Sequence, residues 1–374
     1  MAPRFTLPFR ADDDEARGVT RRDMLAALPA LALVPGVVAQ AAQGSGPAVR
    51  VRKLHSFGLT VSDIGRSLEF YQGLFGAPVQ ARQGDAVCLR IGSGPQFFSL
   101  VPTRPGETPR ITHVCFTTER FDVDGILADL SAAGIGRIDP PAGTPGLEHA
   151  MKAWVRRRGP DAGGAPGGTP EVFFADPDGL LVQLQDPRYC GGAGPLGDVC
   201  ASPEAAPTSG LLAVKDLSHF TIFGSDGQRA NRFYQDLFGL SVQAYQGPTA
   251  PVLGVGDGIQ FVMFAGGFGG RGRGGGRGGG AAAPVPATIH HGCLNMDGFD
   301  TERVLETLTG YGIRPRGDGN ATGPLVHYIS LRMPERGGAP GGTPELYFTD
   351  PDGLLLQLQD SSYCGGGGVL GNEC

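Results

Sequence analysis

One stretch of sequence occurs twice in this chain of 374 residues, and the two copies differ at a histidine. Aligning the copies on Asp63 and Asp226 places Ser56 opposite His219, because the first copy reads His-Ser where the second reads Ser-His. A shift of one residue turns a strand side chain to the other face of its sheet. An imidazole that could bind a metal is therefore expected at this position in the second copy only.

The elements that must position this histidine are strands and helices in a recurring order. KLHSFGLTV predicts a strand, Ser62 or Asp63 caps the helix IGRSLEFYQGLF, and further strands follow. The second part of each copy repeats the order, which predicts a βαβββ unit present four times. Aromatic pairs at helical positions in both copies are expected to pack the helices onto the sheets.

The repeat divides the chain into two predicted domains. The N-terminal domain covers residues 50–200, a polar, proline-rich linker covers 201–212, and the C-terminal domain covers 213–374. A Gly/Arg-rich segment at 266–287 has no counterpart in the first copy and is interpreted as a flexible surface insertion.

Composition and charge exclude several classes of function. An apolar content of 40% with 18% charged residues is ordinary for a globular protein. The net charge of −6 provides no basic field to recruit nucleic acid or anionic lipid. Neither a nucleic-acid partner nor stable insertion into a membrane is expected.

Residues 1–41 have the pattern of an export signal. Two arginines at 21 and 22 precede a moderately apolar stretch, and Ala39-Gln40-Ala41 forms a cleavage site with small residues. The pattern resembles a twin-arginine signal, so a periplasmic or extracellular protein is expected. The alternative is a membrane anchor, but two prolines and a glycine interrupt the apolar run and it is short for a bilayer span.

The cysteines agree with an oxidising destination. Each copy closes with Tyr-Cys-Gly-Gly and a further cysteine ten positions later, which predicts the local disulfides Cys190–Cys200 and Cys364–Cys374. The other three cysteines lie in apolar, strand-like runs and are predicted to be core residues. They are Cys88, Cys115 and Cys293.

The repeated pattern resembles the vicinal oxygen chelate superfamily of glyoxalase I, extradiol ring-cleaving dioxygenases and bleomycin-resistance proteins. The resemblance is carried by H-x-x-x-x-x-x-D before a helix with FY-x-x-LFG, and by a last strand entered through DPDG. It implies an α+β fold of tandem duplicated, paired βαβββ modules. Each pair would form a curved, cup-like mixed sheet flanked by helices.

The resemblance also implies a metal site, because the superfamily takes its ligands from the first strand of each unit and from the last strand. In the C-terminal domain these positions are His219, His291 and Gln357. In the N-terminal domain they are Ser56, His113 and Gln183, so that site is expected to be degenerate.

The sequence does not decide the roles of three residues near these positions. His55 would join the N-terminal site only if a β-bulge turned it. Gln359 shares a strand face with Gln357, so either could point inward. Glu345 is the nearest carboxylate, but its repetition as Glu171 in the other copy favours a structural role.

Similarity to the extradiol enzymes implies two catalytic residues. Tyr347 matches a tyrosine ahead of the final hairpin, where the first copy has Phe173, and His327 lies where that family keeps an acid/base histidine. A degenerate N-terminal copy beside a complete C-terminal one also matches that family. The implied activity is an extradiol-type dioxygenase that acts on a small, catechol-like substrate.

Glutamine in place of glutamate among the ligands supports two further hypotheses. An amide oxygen carries no charge to offset a divalent cation, and glyoxalase I also uses a glutamine ligand, so a glyoxalase-like lyase or isomerase is the first alternative. A metal-free binding protein is the second. The expected cofactor is a divalent metal, with iron(II) ahead of manganese, nickel or zinc. The expected partner is a small-molecule substrate, and a homodimer is left open.

Overall fold

A computed structural model of the protein describes residues 46–266, 285–317 and 323–374. The predicted export signal and almost all of the Gly/Arg-rich segment lie outside these residues. Within them, no helix combines the length and the apolar character needed to span a bilayer.

The first copy of the repeat forms one mixed sheet of nine strands. Its strands are β1 Val51–Val61, β2 Val79–Gln83, β3 Ala86–Arg90, β4 Phe97–Pro102, β5 Arg110–Thr118, β6 Gly136–Arg137, β7 Lys152–Arg158, β8 Thr169–Ala175 and β9 Leu181–Gln185. Their order across the sheet is β2-β3-β4-β1-β5-β9-β8-β7-β6. The first strand of each predicted module, β1 or β5, therefore lies in the middle of the sheet.

The second copy forms a second sheet with the same order. Its strands are β10 Asp216–Gly224, β11 Val242–Tyr245, β12 Pro251–Gly254, β13 Phe261–Gly266, β14 Thr288–Met296, β15 Arg314–Pro315, β16 Val326–Arg332, β17 Thr343–Thr349 and β18 Leu355–Asp360. They are ordered β11-β12-β13-β10-β14-β18-β17-β16-β15. Two paired modules in each copy confirm the predicted α+β fold. We call the two copies the N-terminal half and the C-terminal half.

The described residues contain four α-helices, one for each module. They are α1 Ile64–Phe75, α2 Val123–Ala132, α3 Gly227–Phe238 and α4 Thr301–Gly310. Asp63 caps α1 by accepting a hydrogen bond from the backbone N–H of Arg66, and Gly76 ends the helix at a φ of 64°. A left-handed residue at this position suits glycine, which has no Cβ to clash. The predicted helix bounds are therefore confirmed.

Helices α1 and α3 carry aromatic residues that contact the opposite half. Phe75 of α1 packs edge-on against Phe348 of the second sheet with ring centroids 6.1 Å apart. Phe238 of α3 packs in the same way against Phe174 of the first sheet at 6.0 Å. Each half thus closes the apolar core of the other, and burial of these rings favours association of the two halves.

The DPDG turns make a second reciprocal connection. The Tyr71 hydroxyl donates to Asp350 Oδ2 at 3.0 Å, and the Tyr234 hydroxyl donates to Asp176 Oδ2 at 3.1 Å. Oδ1 of Asp350 accepts two backbone N–H groups within its own turn, which fixes the entrance to β18. Burial raises the pKa of both Asp176 and Asp350 to about 6.

Both predicted disulfides are present, Cys190–Cys200 and Cys364–Cys374, and each closes a Gly-rich loop after the last strand of its half. The three remaining cysteines are free and buried, as predicted. They are Cys88, Cys115 and Cys293.

Candidate functional site

The three predicted metal ligands of the C-terminal half lie on three adjacent strands. His219 is on β10, His291 on β14 and Gln357 on β18, and these strands are hydrogen-bonded neighbours in the centre of the sheet. Each side chain is at most 4% exposed. The sheet therefore brings together residues that are up to 138 positions apart in the sequence.

The side chains converge at distances that suit a shared ion. His219 Nε2 lies 3.2 Å from Gln357 Oε1, and the imidazoles of His219 and His291 are perpendicular with centroids 5.5 Å apart. Two donor atoms about 2.1 Å from one ion, at angles between square and tetrahedral, are themselves separated by about 3.0–3.4 Å. Nε2 of His291 and Nε2 of Gln357 are buried without a hydrogen-bond partner. An unsatisfied buried imidazole nitrogen next to two other donor atoms fits a metal site, because a bound ion would satisfy it.

The remaining ring nitrogens fix how the histidines are oriented. His219 Nδ1 lies 3.1 Å from the Ser218 hydroxyl, and His291 Nδ1 lies 2.8 Å from Nδ1 of the exposed His290. In the tautomer with the proton on Nδ1, each Nε2 has a lone pair that can bind a metal. Burial lowers the pKa of His219 to about 3 and that of His291 well below its usual value. Both imidazoles are therefore neutral at physiological pH, which is the form that binds metals.

Aromatic rings form the walls of this site. The His219 ring stacks on Phe261 with centroids 4.2 Å apart, and the edge of His291 meets Tyr347 at 5.1 Å. Tyr328 stacks on the far side of Tyr347 at 5.1 Å. A flat, apolar substrate that reached the three donors would lie among these rings.

Glu345 lies beside the site but is held by other partners. Its carboxylate accepts hydrogen bonds from Arg332 Nε at 2.9 Å and from the Tyr363 hydroxyl at 3.1 Å. Arg332 also donates to the carbonyls of Gly337 and Gly366, one in each Gly-rich loop. Glu345 thus holds the loops, as predicted. No three His, Cys, Asp or Glu side chains among the described residues are grouped to hold a metal ion, so the donor set needs the Gln357 amide.

The structure decides between the two glutamines and corrects the predicted position of His327. The Gln359 amide donates to the Pro344 carbonyl at 3.1 Å, which leaves Gln357 as the inward glutamine. Tyr328 pairs with Tyr347 across β16 and β17, so the neighbouring His327 points to the opposite face. There its Nε2 contacts the Thr309 hydroxyl of α4 at 2.9 Å. Tyr347 lies at the site and His327 does not. Sequence reasoning missed Tyr328, although strict alternation from Tyr347 would have found it.

The N-terminal half contains the β-bulge on which the position of His55 depended. The bulge lies between Leu54 and Ser56, opposite β5. His55 is buried with its ring 5.9 Å from both Phe97 and Tyr189. These two rings are the counterparts of Phe261 and Tyr363 around His219. An imidazole therefore lies among the corresponding aromatic rings in this half as well, contributed by the residue before the aligned one.

His55 and the second histidine of the N-terminal half do not meet as their counterparts do. Among the described residues, the ring contacts of His55 are with Phe97 and Tyr189, whereas His113 contacts Phe173 at 6.0 Å. His113 Nδ1 is 2.8 Å from the Thr112 hydroxyl, and burial lowers the pKa of His113 to about 4. This cup contains a cavity of about 820 Å³.

Comparisons with known proteins agree with this architecture. Residues 53–184 match the family model of the Glyoxalase/Bleomycin resistance protein/Dioxygenase superfamily. Metapyrocatechase 2 of Cupriavidus necator is 28% identical over 204 residues, which are 52% of this chain and 48% of that protein. The match thus spans about half the length of that curated relative.

Solved structures share the fold of most of this chain. Homoprotocatechuate 2,3-dioxygenase from Brevibacterium fuscum, in an anaerobic substrate complex with 3,4-dihydroxyphenylacetate, superposes with a TM-score of 0.52 at 16% identity. That match covers 84% of this chain and 83% of the dioxygenase. The Mn(II)-bound glyoxalase from Novosphingobium aromaticivorans gives a TM-score of 0.50 at 17% identity, covering 83% and 82% of the two chains. The first copy thus matches the glyoxalase/bleomycin resistance/dioxygenase superfamily over residues 53–184, and the paired modules of both copies share the fold of these solved structures.

Proposed function

We propose that this protein is an exported, metal-dependent oxygenase of extradiol type that acts on a small, catechol-like substrate in the cup of its C-terminal half. The observation that carries the proposal is the convergence of His219, His291 and Gln357, with a buried imidazole nitrogen left unsatisfied between them. The similarity to metapyrocatechase 2 and to the dioxygenase fold supports this reaction class.

The proposed cofactor is a divalent metal, with iron(II) first and manganese, nickel or zinc as alternatives. When bound, it would supply adjacent open positions for the two oxygens of a diol and for dioxygen. His219 and His291 would hold it through their neutral Nε2 atoms, and Gln357 through its amide oxygen. Residues 1–41, which we propose to direct export, lie outside the described part of the chain.

Tyr347 is the residue best placed to contribute a proton or a hydrogen bond. Burial and the nearby Glu345 carboxylate raise its pKa well above the usual value, so its hydroxyl stays protonated. That hydroxyl donates to Glu345 at 3.2 Å, and Tyr328 stacked on the ring limits how far it can swing. We therefore assign Tyr347 the role of donor to an oxygen of the bound substrate. His327 has no role in this proposal because it lies on the other face of its strand.

The second candidate is a glyoxalase-like lyase or isomerase, and the amide ligand favours it. The three donors carry no formal charge, so a bound cation would keep its full charge and act as a strong Lewis acid on a carbonyl. The fold similarity to a Mn(II)-bound glyoxalase supports this candidate.

One experiment separates these functions. Protein matured in the cytoplasm is stripped of bound metal and reloaded anaerobically with iron(II). It is then assayed for oxygen uptake with catechol, 4-methylcatechol and 3,4-dihydroxyphenylacetate. The same protein loaded with zinc or nickel is assayed with the adduct of methylglyoxal and glutathione. The oxygenase proposal expects iron-dependent oxygen uptake and a ring-fission chromophore, both lost in Gln357→Ala. Turnover only in the second assay would instead identify a lyase, and turnover in neither assay would remove both enzyme proposals for these substrates.

A further inference from the structure

The cavity in the N-terminal cup has the features of a binding site. Its volume of about 820 Å³ lies in the range of small-molecule sites. Gln183, at the floor position equivalent to Gln357, lines the cavity and is 3% exposed. Its amide nitrogen is buried without a hydrogen-bond partner. A buried donor of this kind costs free energy unless something in the cavity accepts from it.

One wall of the cavity is a stack of an indole, a phenyl ring and a guanidinium. Trp154 and Phe173 are nearly parallel at 17° with centroids 6.2 Å apart. The Arg156 guanidinium lies 5.1 Å from the centroid of Phe173. All three residues line the cavity. Such a wall presents flat apolar surface and a cation side by side.

Arg156 retains donor capacity toward the cavity. Its Nε and Nη2 bind Glu171 Oε2 at 2.7 and 2.6 Å, whereas Nη1 has no hydrogen-bond partner among the described residues. The side chain is 54% exposed. Glu171 is also bound by Arg158, so two cations share one carboxylate. The surroundings of Arg156 thus keep a net positive charge.

The other charged residues that line the cavity add to this positive field. Arg104, Arg110 and Arg157 are among them, and Glu107 is the carboxylate that opposes them. An excess of arginine in a concave site concentrates anions. The occupant is therefore expected to carry negative charge as well as an aromatic surface.

The C-terminal half has different side chains at the same register, although its Tyr328–Tyr347 stack also carries a guanidinium, that of Arg316, 3.7 Å from the Tyr328 centroid. Tyr328, Ser330 and Tyr347 occupy the positions of Trp154, Arg156 and Phe173, because each set faces its partner strand in the same order. An arginine at the position of Arg156, on the strand next to the buried carboxylate, is thus specific to the N-terminal half. The two cups have diverged toward different ligands.

We propose that the N-terminal cup is a second ligand site, which binds a small aromatic carboxylate. The ring packs against Trp154 and Phe173, the carboxylate accepts from Arg156, and the Gln183 amide donates to a polar substituent or to the same carboxylate. Charge-assisted pairing of a carboxylate with arginine supplies the specificity for an acid over a neutral analogue. This site is independent of the metal proposed in the C-terminal half.

Trp154 makes the test direct, because it is the single tryptophan of the chain. The full-length protein is titrated with 3-phenylpropanoate and with the neutral 3-phenylpropanamide, followed by tryptophan fluorescence and by calorimetry. We expect the acid to change the fluorescence with the same dissociation constant that calorimetry gives, and the amide to bind at least roughly 10-fold more weakly. The proposal would be overturned if the acid did not bind, if acid and amide bound equally, or if the acid bound without a change in Trp154 fluorescence.

Arg156→Ser copies the residue of the other half and should fold, since Arg158 still pairs with Glu171. We expect it to weaken binding of the acid by roughly 10- to 100-fold. Arg156→Gln is the second variant, and Arg137→Ser, an exposed arginine outside the cavity, is the charge-matched control. Circular dichroism checks the fold of each. Loss of binding in His291→Ala with full binding in Arg156→Ser would place the acid in the C-terminal cup and refute the assignment.

Discussion

Replacing Arg332 with methionine should destabilise the protein more than the same replacement of its counterpart Arg158. Arg332 is fully buried, and its Nε donates to Glu345 Oε1 at 2.9 Å. Arg158 makes the equivalent contact with Glu171 at the same distance. The difference is that Glu171 has a second cation, Arg156, whose Nη2 lies 2.6 Å from its Oε2.

The expected difference can be worked out from the contacts that each arginine makes. Besides the carboxylate, each arginine donates to two backbone carbonyls, so those losses nearly cancel between the variants. The carbonyls belong to Gly337 and Gly366 for Arg332, and to Ala162 and Gly192 for Arg158. Breaking a buried pair and leaving one charge unpaired costs about 3–5 kcal/mol. Glu345, left with only tyrosine hydroxyls, bears that cost, whereas Glu171 keeps an ion pair. We therefore expect Arg332→Met to cost about 2 kcal/mol more than Arg158→Met.

Urea unfolding followed by circular dichroism, with the disulfides intact, measures the free energy of unfolding of each variant. The combined variant Arg156→Ser/Arg158→Met removes the second cation and should raise the cost to that of Arg332→Met. Equal losses for the two single replacements would refute the reasoning. So would a combined variant no less stable than Arg158→Met alone.

Other predictions concern pH and catalysis. Because burial raises the pKa of Asp176 and Asp350 to about 6, the stability they contribute is complete below about 3.8 and is lost as pH rises through 6. The free energy of unfolding should therefore fall between about pH 4 and 7 by up to about 3 kcal/mol per group. Urea titrations of the double variant Asp176→Asn/Asp350→Asn should no longer show this decrease. A variant with the same pH profile as the wild type would contradict the prediction. Tyr347→Phe should lower kcat for oxygen uptake at least roughly 10-fold without changing metal content. His327→Ala should keep wild-type kcat in the same assay, and a severe loss would return that histidine to the mechanism.

The fold could be predicted from the sequence because the helix caps, the strand patterns and the duplicated cysteines all indicated the same repeated unit. Asp63 and Gly76 bound the first helix as caps do, and the duplicated cysteines pair within each copy. Repetition of the pattern then predicted the order of strands and helices along the chain. The sequence did not show that aromatic residues of α1 and α3 contact the opposite half, because a side chain such as Phe75 is recognisable only as apolar and its packing partner is not encoded locally.

Both first strands carry the same irregularity next to the histidine, between Leu54 and Ser56 in β1 and between Leu217 and His219 in β10, so strand alternation alone could not predict the candidate site. His219, His291 and Gln357 lie on the neighbouring strands β10, β14 and β18 of the repeated topology, and their role as metal ligands stays a prediction. The role of His55 depended on a bulge, which has no composition signal of its own in this segment. His327 was placed by similarity to a motif, whereas the pairing of its strand with β17 turns it away.

The content of divalent metal in protein matured in the cytoplasm tests the central claim most directly. Elemental analysis of the wild type is compared with His219→Ala and His291→Ala, and His113→Ala in the other half is the matched control. We predict about one ion per chain in the wild type and in the control, and almost none in the other two variants. Metal retained in His291→Ala, or lost only in His113→Ala, would contradict a metal centre in the C-terminal cup.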